Sequence, residues 1–113
     1  MNIIKQVPLA ILCILPIMAI AHDEKPPELW SWFKDLNKSK EACEIQSTFV
    51  MDKLKVEDVI SNAYGIYGNV KSNRVVVKCI AMGENASKLM VAVAGQNKDS
   101  VELVRNQIVK SIR

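Results

Sequence analysis

The stretch RVVVKCIAMGENASKLMVAVA, residues 74–94, decides the fold of this chain. Two runs rich in β-branched and apolar residues, 74–82 and 88–94, flank the polar segment GENAS, whose length suits a hairpin. We therefore predict two antiparallel strands. Lys78 and Lys88 indicate that one face of the strand pair is exposed to solvent. Four apolar residues share that face, so we predict it to be only partly hydrated: Val76, Ile80, Met82 and Met90.

The segment after these strands predicts an amphipathic helix. Asp99 can cap its start, and Glu102, three residues later, completes a capping box. Leu103 lies on the opposite side from the apolar stripe and is predicted to be exposed. The residues of that stripe recur at helical spacing and are predicted to be buried: Val101, Val104, Ile108 and Ile112, with Val109 beside them.

Upstream of the hairpin, the patterns predict a helix, a strand and a second helix. From Glu28 the apolar residues follow an i, i+3, i+4, i+7 spacing: Leu29, Trp32, Phe33 and Leu36. The segment CEIQSTFVM, residues 43–51, alternates as a half-buried strand does, although Ala42, Ile45 and Phe49 would also suit a helix. Residues 55–68 follow a period of about 3.6 residues, and two glycines can end that helix: Gly65 or Gly68.

These elements predict a small two-layer α+β domain with the order α-β-α-β-β-α. Each predicted helix has one apolar face, and the sheet must bury its own apolar face. We therefore expect a three-stranded, mainly antiparallel sheet with the helices packed on one face.

The N-terminus predicts a cleaved secretory signal peptide. Lys5 precedes the apolar run VPLAILCILPIMAIA, and Ala19 and Ala21 supply small residues before a cleavage site at His22. The run is shorter than the roughly 20 residues that a spanning helix needs, so we predict no stable membrane anchor after cleavage. A retained anchor is the alternative. The predicted organisation is a signal peptide at 1–21, a flexible lead at 22–27 and a single domain at 28–113.

Two cysteines, Cys43 and Cys79, remain after the predicted cleavage and form an even pair in an exported chain. We predict that they form one disulfide, and a free reactive thiol is the alternative. The predicted location is therefore the periplasm or the secreted medium. The triplets at Asn37 and Asn85 would accept glycans in a eukaryotic secretory chain, but we favour a bacterial exporter.

Charge and motifs exclude several functions. Cleavage removes one of the 15 Lys and Arg residues, which leaves 14 against 12 Asp and Glu, so nucleic acid is not an expected partner. The chain has no G-x-S-x-G or H-E-x-x-H motif and no phosphate-binding glycine loop. His22, the only histidine, is a poor metal site by itself. We predict no enzyme, no metal and no cofactor.

A protein partner is the expectation that remains. Four large side chains are candidates for protein binding: Trp30, Tyr64, Tyr67 and Leu103. We predict an exported, non-catalytic protein-binding module, such as an inhibitor or immunity-type partner of an envelope-targeting enzyme. One alternative is a structural or accessory component of a bacterial envelope assembly that associates with itself through a sheet edge. Another is a small metal or copper carrier.

Overall fold

The computed structural model describes residues 25–113, and the predicted signal peptide with its cleavage site at Ala21 and His22 lies outside them. Within that range the chain forms five strands and two helices. They are β1 (Glu28–Leu36), α1 (Lys40–Lys53), β2 (Glu57–Asn62), β3 (Gly65–Val70), β4 (Asn73–Gly83), β5 (Ala86–Gly95) and α2 (Lys98–Ser111).

The five strands form one antiparallel sheet in the order β1-β5-β4-β3-β2. The predicted three-stranded sheet and the predicted order α-β-α-β-β-α are therefore wrong. The β4–β5 hairpin is confirmed and occupies the interior of the sheet. Both helices lie on one face, with α1 against β4 and β5, and α2 against β5 and β1. The result is a small two-layer α+β domain.

β1 is a strand and not the predicted helix. ELWSWFKDL fits a helical stripe, but it also alternates, and the aromatic residues favour a strand. In the sheet, Trp30 and Leu36 point towards the helices, whereas Leu29 and Phe33 lie on the other face. The prediction that the helical apolar stripe is buried is wrong for Leu29, Trp32 and Phe33, whose side chains are 70%, 51% and 58% exposed.

α1 is a helix and not the predicted strand. Ser39 caps the helix, because its hydroxyl accepts a hydrogen bond from the Ala42 amide at 3.0 Å. The alternating residues from 43 to 51 are not all buried on one face, as a half-buried strand would require, since Ile45 and Phe49 are exposed. The buried set instead has helical spacing: Cys43, Ser47, Val50 and Met51.

Residues 55–68 do not form the predicted helix, because most of them belong to the β2–β3 hairpin. Asn62 starts the turn, since its side-chain oxygen accepts a hydrogen bond from the Tyr64 amide at 2.8 Å. Gly65 follows with a backbone φ of +147°, a conformation that residues other than glycine rarely adopt. Gly68 lets β3 approach Val56 closely, because a Cβ at this position would overlap the valine side chain.

The C-terminal helix is confirmed, with one change at its start. Asn97 is the N-cap in place of Asp99, and its side-chain oxygen accepts a hydrogen bond from the Ser100 amide at 2.8 Å. Leu103 is exposed, as predicted. The predicted stripe is buried: Val101, Val104, Ile108 and Ile112.

The disulfide between Cys43 and Cys79 is confirmed and joins α1 to β4. Both cysteines are buried in the core that the helices and the sheet share. The bond is compatible with an oxidising extracellular compartment. Lys34 of β1 donates hydrogen bonds to the carbonyls of Val109 and Ile112, at 3.0 and 2.7 Å, and so ties α2 to the sheet. These contacts fix α1 and α2 on the same face.

We expect Gly95→Ala to lower the free energy of unfolding by about 1–3 kcal/mol, as overpacking typically does. A Cβ at Gly95 would overlap the side-chain amide of buried Asn73 and lie 3.1 Å from Cγ2 of Val101. That amide donates a hydrogen bond to the Ser100 hydroxyl at 3.0 Å. Urea denaturation measures the loss.

The double variant Asn73→Ala/Gly95→Ala is the control. Removing the asparagine amide makes room for the new methyl group, so the double variant should lose less stability than the two single losses together. Strictly additive losses would contradict the close contact between Gly95 and Asn73.

Candidate functional site

The two faces of the sheet have different environments within residues 25–113. Both helices cover one face, whereas the other face, here called the open face, has no helix over it. Antiparallel sheets commonly expose one face, and that face is usually polar. Here one row of side chains crosses all five strands of the open face and is mainly apolar: Ser31, Ala92, Val76, Tyr67 and Ile60.

Large apolar residues also lie outside that row. Leu29 and Phe33 of β1 are among the most exposed apolar side chains of the described chain. Met90 pairs with both Phe33 and Lys78 in the sheet register, so an apolar and a basic residue flank it. The partly hydrated face predicted for the β4–β5 hairpin is therefore part of the open face.

A shallow depression of about 230 Å³ lies on the open face. Ala92 and Ala94 contribute only methyl groups to it, and this small size creates the depression between larger neighbours. Leu29, Tyr67 and Val76 also line it, and Arg74 is its charged residue. The depression thus combines an apolar surface with one guanidinium group. It is our candidate functional site.

Trp30 lies on the other face of the sheet and is half-buried against α2. The Arg105 guanidinium lies 5.2 Å from the ring centre of Trp30 and 5.4 Å from that of Trp32. Lys98 approaches the Trp30 ring at 5.6 Å. The Trp30 indole also donates a hydrogen bond to Glu28 at 3.2 Å. These cation–π contacts give Trp30 a packing role at the seam between β1 and α2.

The structure does not bring the four predicted protein-binding residues together. Tyr67 lies in the depression on the open face. Trp30 is at the β1–α2 seam, and Tyr64 is exposed in the β2–β3 turn. Leu103 is exposed on α2. Sequence reasoning missed Leu29, Ala92 and Ala94, and the signal that could have found them is the alternation along β1 and β5.

Two other concave regions lie on the helix side. One, of about 330 Å³, is between α1 and the β2–β3 hairpin, and the Lys40–Glu44 ion pair lines it. The other, of about 360 Å³, is on the outer side of α1 beside Ile45 and Phe49. Within residues 25–113, His, Cys, Asp and Glu side chains nowhere gather in a group of three able to hold a metal ion.

The described residues include no helix with the length and apolar character needed to cross a membrane. In comparisons with known proteins, no family model and no curated protein matches the chain. The fold and the open face are therefore the basis for a functional proposal.

Proposed function

We propose that this protein is an exported, non-catalytic protein-binding module that binds its partner on the open face of the sheet. One observation carries the proposal: both helices of the described chain lie on one face, while the other face carries a mainly apolar row of side chains that crosses all five strands. Contiguous exposed apolar surface of this kind is typical of interaction sites.

The depression indicates the chemistry of the contact. Its alanine floor and the Leu29 and Tyr67 side chains fit one apolar side chain of a partner. The Arg74 guanidinium at the same place can bind a carboxylate with two parallel hydrogen bonds. A partner segment with an apolar anchor next to Asp or Glu matches both features. Tyr67 is the expected hot spot, because interface tyrosines contribute much of the binding energy at many interfaces.

Inhibition by steric occlusion is the mode of action that this surface favours. A rigid sheet can cover the active site of an envelope-targeting enzyme without contributing catalytic groups. The Cys43–Cys79 disulfide supports export, because such bonds persist in oxidising compartments. The partner would then be a secreted or periplasmic hydrolase or toxin.

Capture from the native host tests the proposal. The protein expressed from the full chain serves as bait, and quantitative mass spectrometry reads the eluate. We expect one dominant protein with wild-type bait, and at least a tenfold reduction with Tyr67→Ser because this change removes the aromatic wall of the depression.

Tyr64→Ser is the matched control, since it removes the same side chain from the same hairpin but away from the depression. Circular dichroism and an intact disulfide establish that both variants are folded. Equal recovery with Tyr67→Ser and wild type would overturn the open-face site, and selective loss with Tyr64→Ser would move the site to the turn.

A further inference from the structure

β4 is longer than the strand beside it, so its last residues have a free edge. The pairing of β4 with β3 ends at Val77, which faces Ile66, whereas the pairing of β4 with β5 continues to Gly83. Within residues 25–113, no strand pairs with the other side of 79–82, and no side chain forms a hydrogen bond with the backbone of this segment. The backbone groups on that side are therefore available to an added strand.

The groove of about 330 Å³ between α1 and the β2–β3 hairpin lies beside this free edge. Residues 78–81 of β4 line it along one side, and Lys40, Glu44 and Thr48 of α1 line it on the helix side. The β2–β3 hairpin lies at one end of the groove. Gly65, the first residue of β3, occupies the line beside β4 that an added strand would follow. An added strand can therefore run up to the hairpin but not past it.

The disulfide limits which side chains fit beside β4. It holds the Cα atoms of Cys43 and Cys79 6.0 Å apart, so α1 lies close to β4 at this point. An added residue that faces Cys79 would point towards α1, because residues that face each other across two strands lie on the same side of the sheet. A small side chain is expected there. The next added residue would face Ile80 on the open face, where an apolar side chain can pair with the isoleucine.

The charges at the hairpin end of the groove favour a carboxylate. Lys78 lies at this end and forms no ion pair within residues 25–113. The other lysine of the groove, Lys40, is already paired with Glu44 at 3.4 Å. All strand pairs of this sheet are antiparallel, and an antiparallel strand added to 79–82 would have its C-terminal end at Lys78. Since Gly65 occupies the next position, a chain that ends there fits better than one that continues.

We propose that this groove binds the free C-terminus of an extended partner peptide, which adds to β4 at residues 79–82. The terminal carboxylate pairs with Lys78, the last residue is small, and the residue before it is apolar and faces Ile80. In strand addition of this kind, main-chain hydrogen bonds provide affinity and alternate side chains provide specificity. The inference does not rest on the proposed function, which concerns the depression on the open face.

An NMR titration of the protein expressed from the full chain tests the site. The probe is the acetylated tetrapeptide threonine-serine-valine-serine with a free C-terminus, and it should shift the amide signals of 78–82 and slow the exchange of alternate amides there. The C-terminal amide of the same peptide should bind about fivefold more weakly, because it lacks the charge-assisted contact. A probe methylated on every backbone nitrogen should not bind. Absence of binding, shifts elsewhere, or equal binding of the methylated probe would overturn the proposal.

The variant Lys78→Gln tests the position of the carboxylate. It should bind the acid and the amide probes equally, whereas wild type prefers the acid. Lys71→Gln is the matched control, since Lys71 is exposed in the turn before β4, and it should keep the preference. A preference that survives Lys78→Gln would overturn the assigned carboxylate site. A wild-type dimer with all amides of 79–82 protected would also overturn the proposal, because a second copy would then occupy the edge. Capture through Tyr67 does not depend on these results.

Discussion

Removing the Cys43–Cys79 disulfide is expected to lower the free energy of unfolding by about 3–4 kcal/mol. The bond closes a separation of 36 residues, and a loop of this length accounts for that loss in the chain-entropy model. The double variant Cys43→Ala/Cys79→Ala avoids a free thiol. A loss of this size is a large share of the roughly 5–15 kcal/mol that stabilises a small domain. Guanidinium denaturation under oxidising conditions measures it.

Reduced wild-type protein is the control for this prediction. Dithiothreitol should lower the stability of wild type towards that of the double variant and leave the variant unchanged. A double variant as stable as oxidised wild type would contradict the structural role of the bond between α1 and β4.

Truncating the core at Ile108 is expected to cost about 2–5 kcal/mol. Ile108 is completely buried in α2, and Ile108→Ala removes that contact and leaves a cavity. Leu103→Ala is the matched control in the same helix, because Leu103 is 49% exposed. The control should change stability by less than about 0.5 kcal/mol, as surface substitutions usually do.

Denaturation of both α2 variants, with the disulfide intact, compares the two losses directly. Similar losses for Ile108→Ala and Leu103→Ala would contradict the assigned orientation of α2. That orientation also places Arg105 on the side of α2 that lies near β1.

Those parts of the fold in which only one periodicity fits could be predicted from sequence. The runs that form β4 and β5 are β-branched and bounded by turn residues, and the apolar residues of α2 fit only a helix. The disulfide followed from an even pair of cysteines. Each of these signals is local and does not depend on which element packs beside it.

The remaining elements could not be predicted because their local patterns are ambiguous. Residues 28–36 fit a helical stripe and an alternating strand equally well, and pairing with β5 decides between them. In α1, one member of the buried stripe is the polar residue Ser47. The apolar residues alone therefore do not form an unbroken helical stripe, and the segment resembles an alternating strand. In the β2–β3 hairpin, exposed Val59 and Ile60 imitate the apolar side of a helix. Tertiary context overrides propensity in all three.

The candidate site was predicted only in part, for the same reason. The lysines among the apolar residues of β4 and β5 indicated a mixed face, and Tyr67 was named as a binding residue. The contribution of Leu29 depends on β1 being a strand at the edge of the same sheet. Without that strand, the depression that contains Ala92 and Ala94 has no outer wall.

Hydroxyl-radical footprinting of the captured complex tests the central claim most directly, because it compares side-chain oxidation with and without the partner on both sides of the sheet. We predict that the partner protects Tyr67 and Met90 on the open face, and that Phe49 of α1 and Leu103 of α2 stay as reactive as in the free protein. Protection of Phe49 and Leu103 with unchanged oxidation of Tyr67 and Met90 would place the partner on the helices and contradict the account.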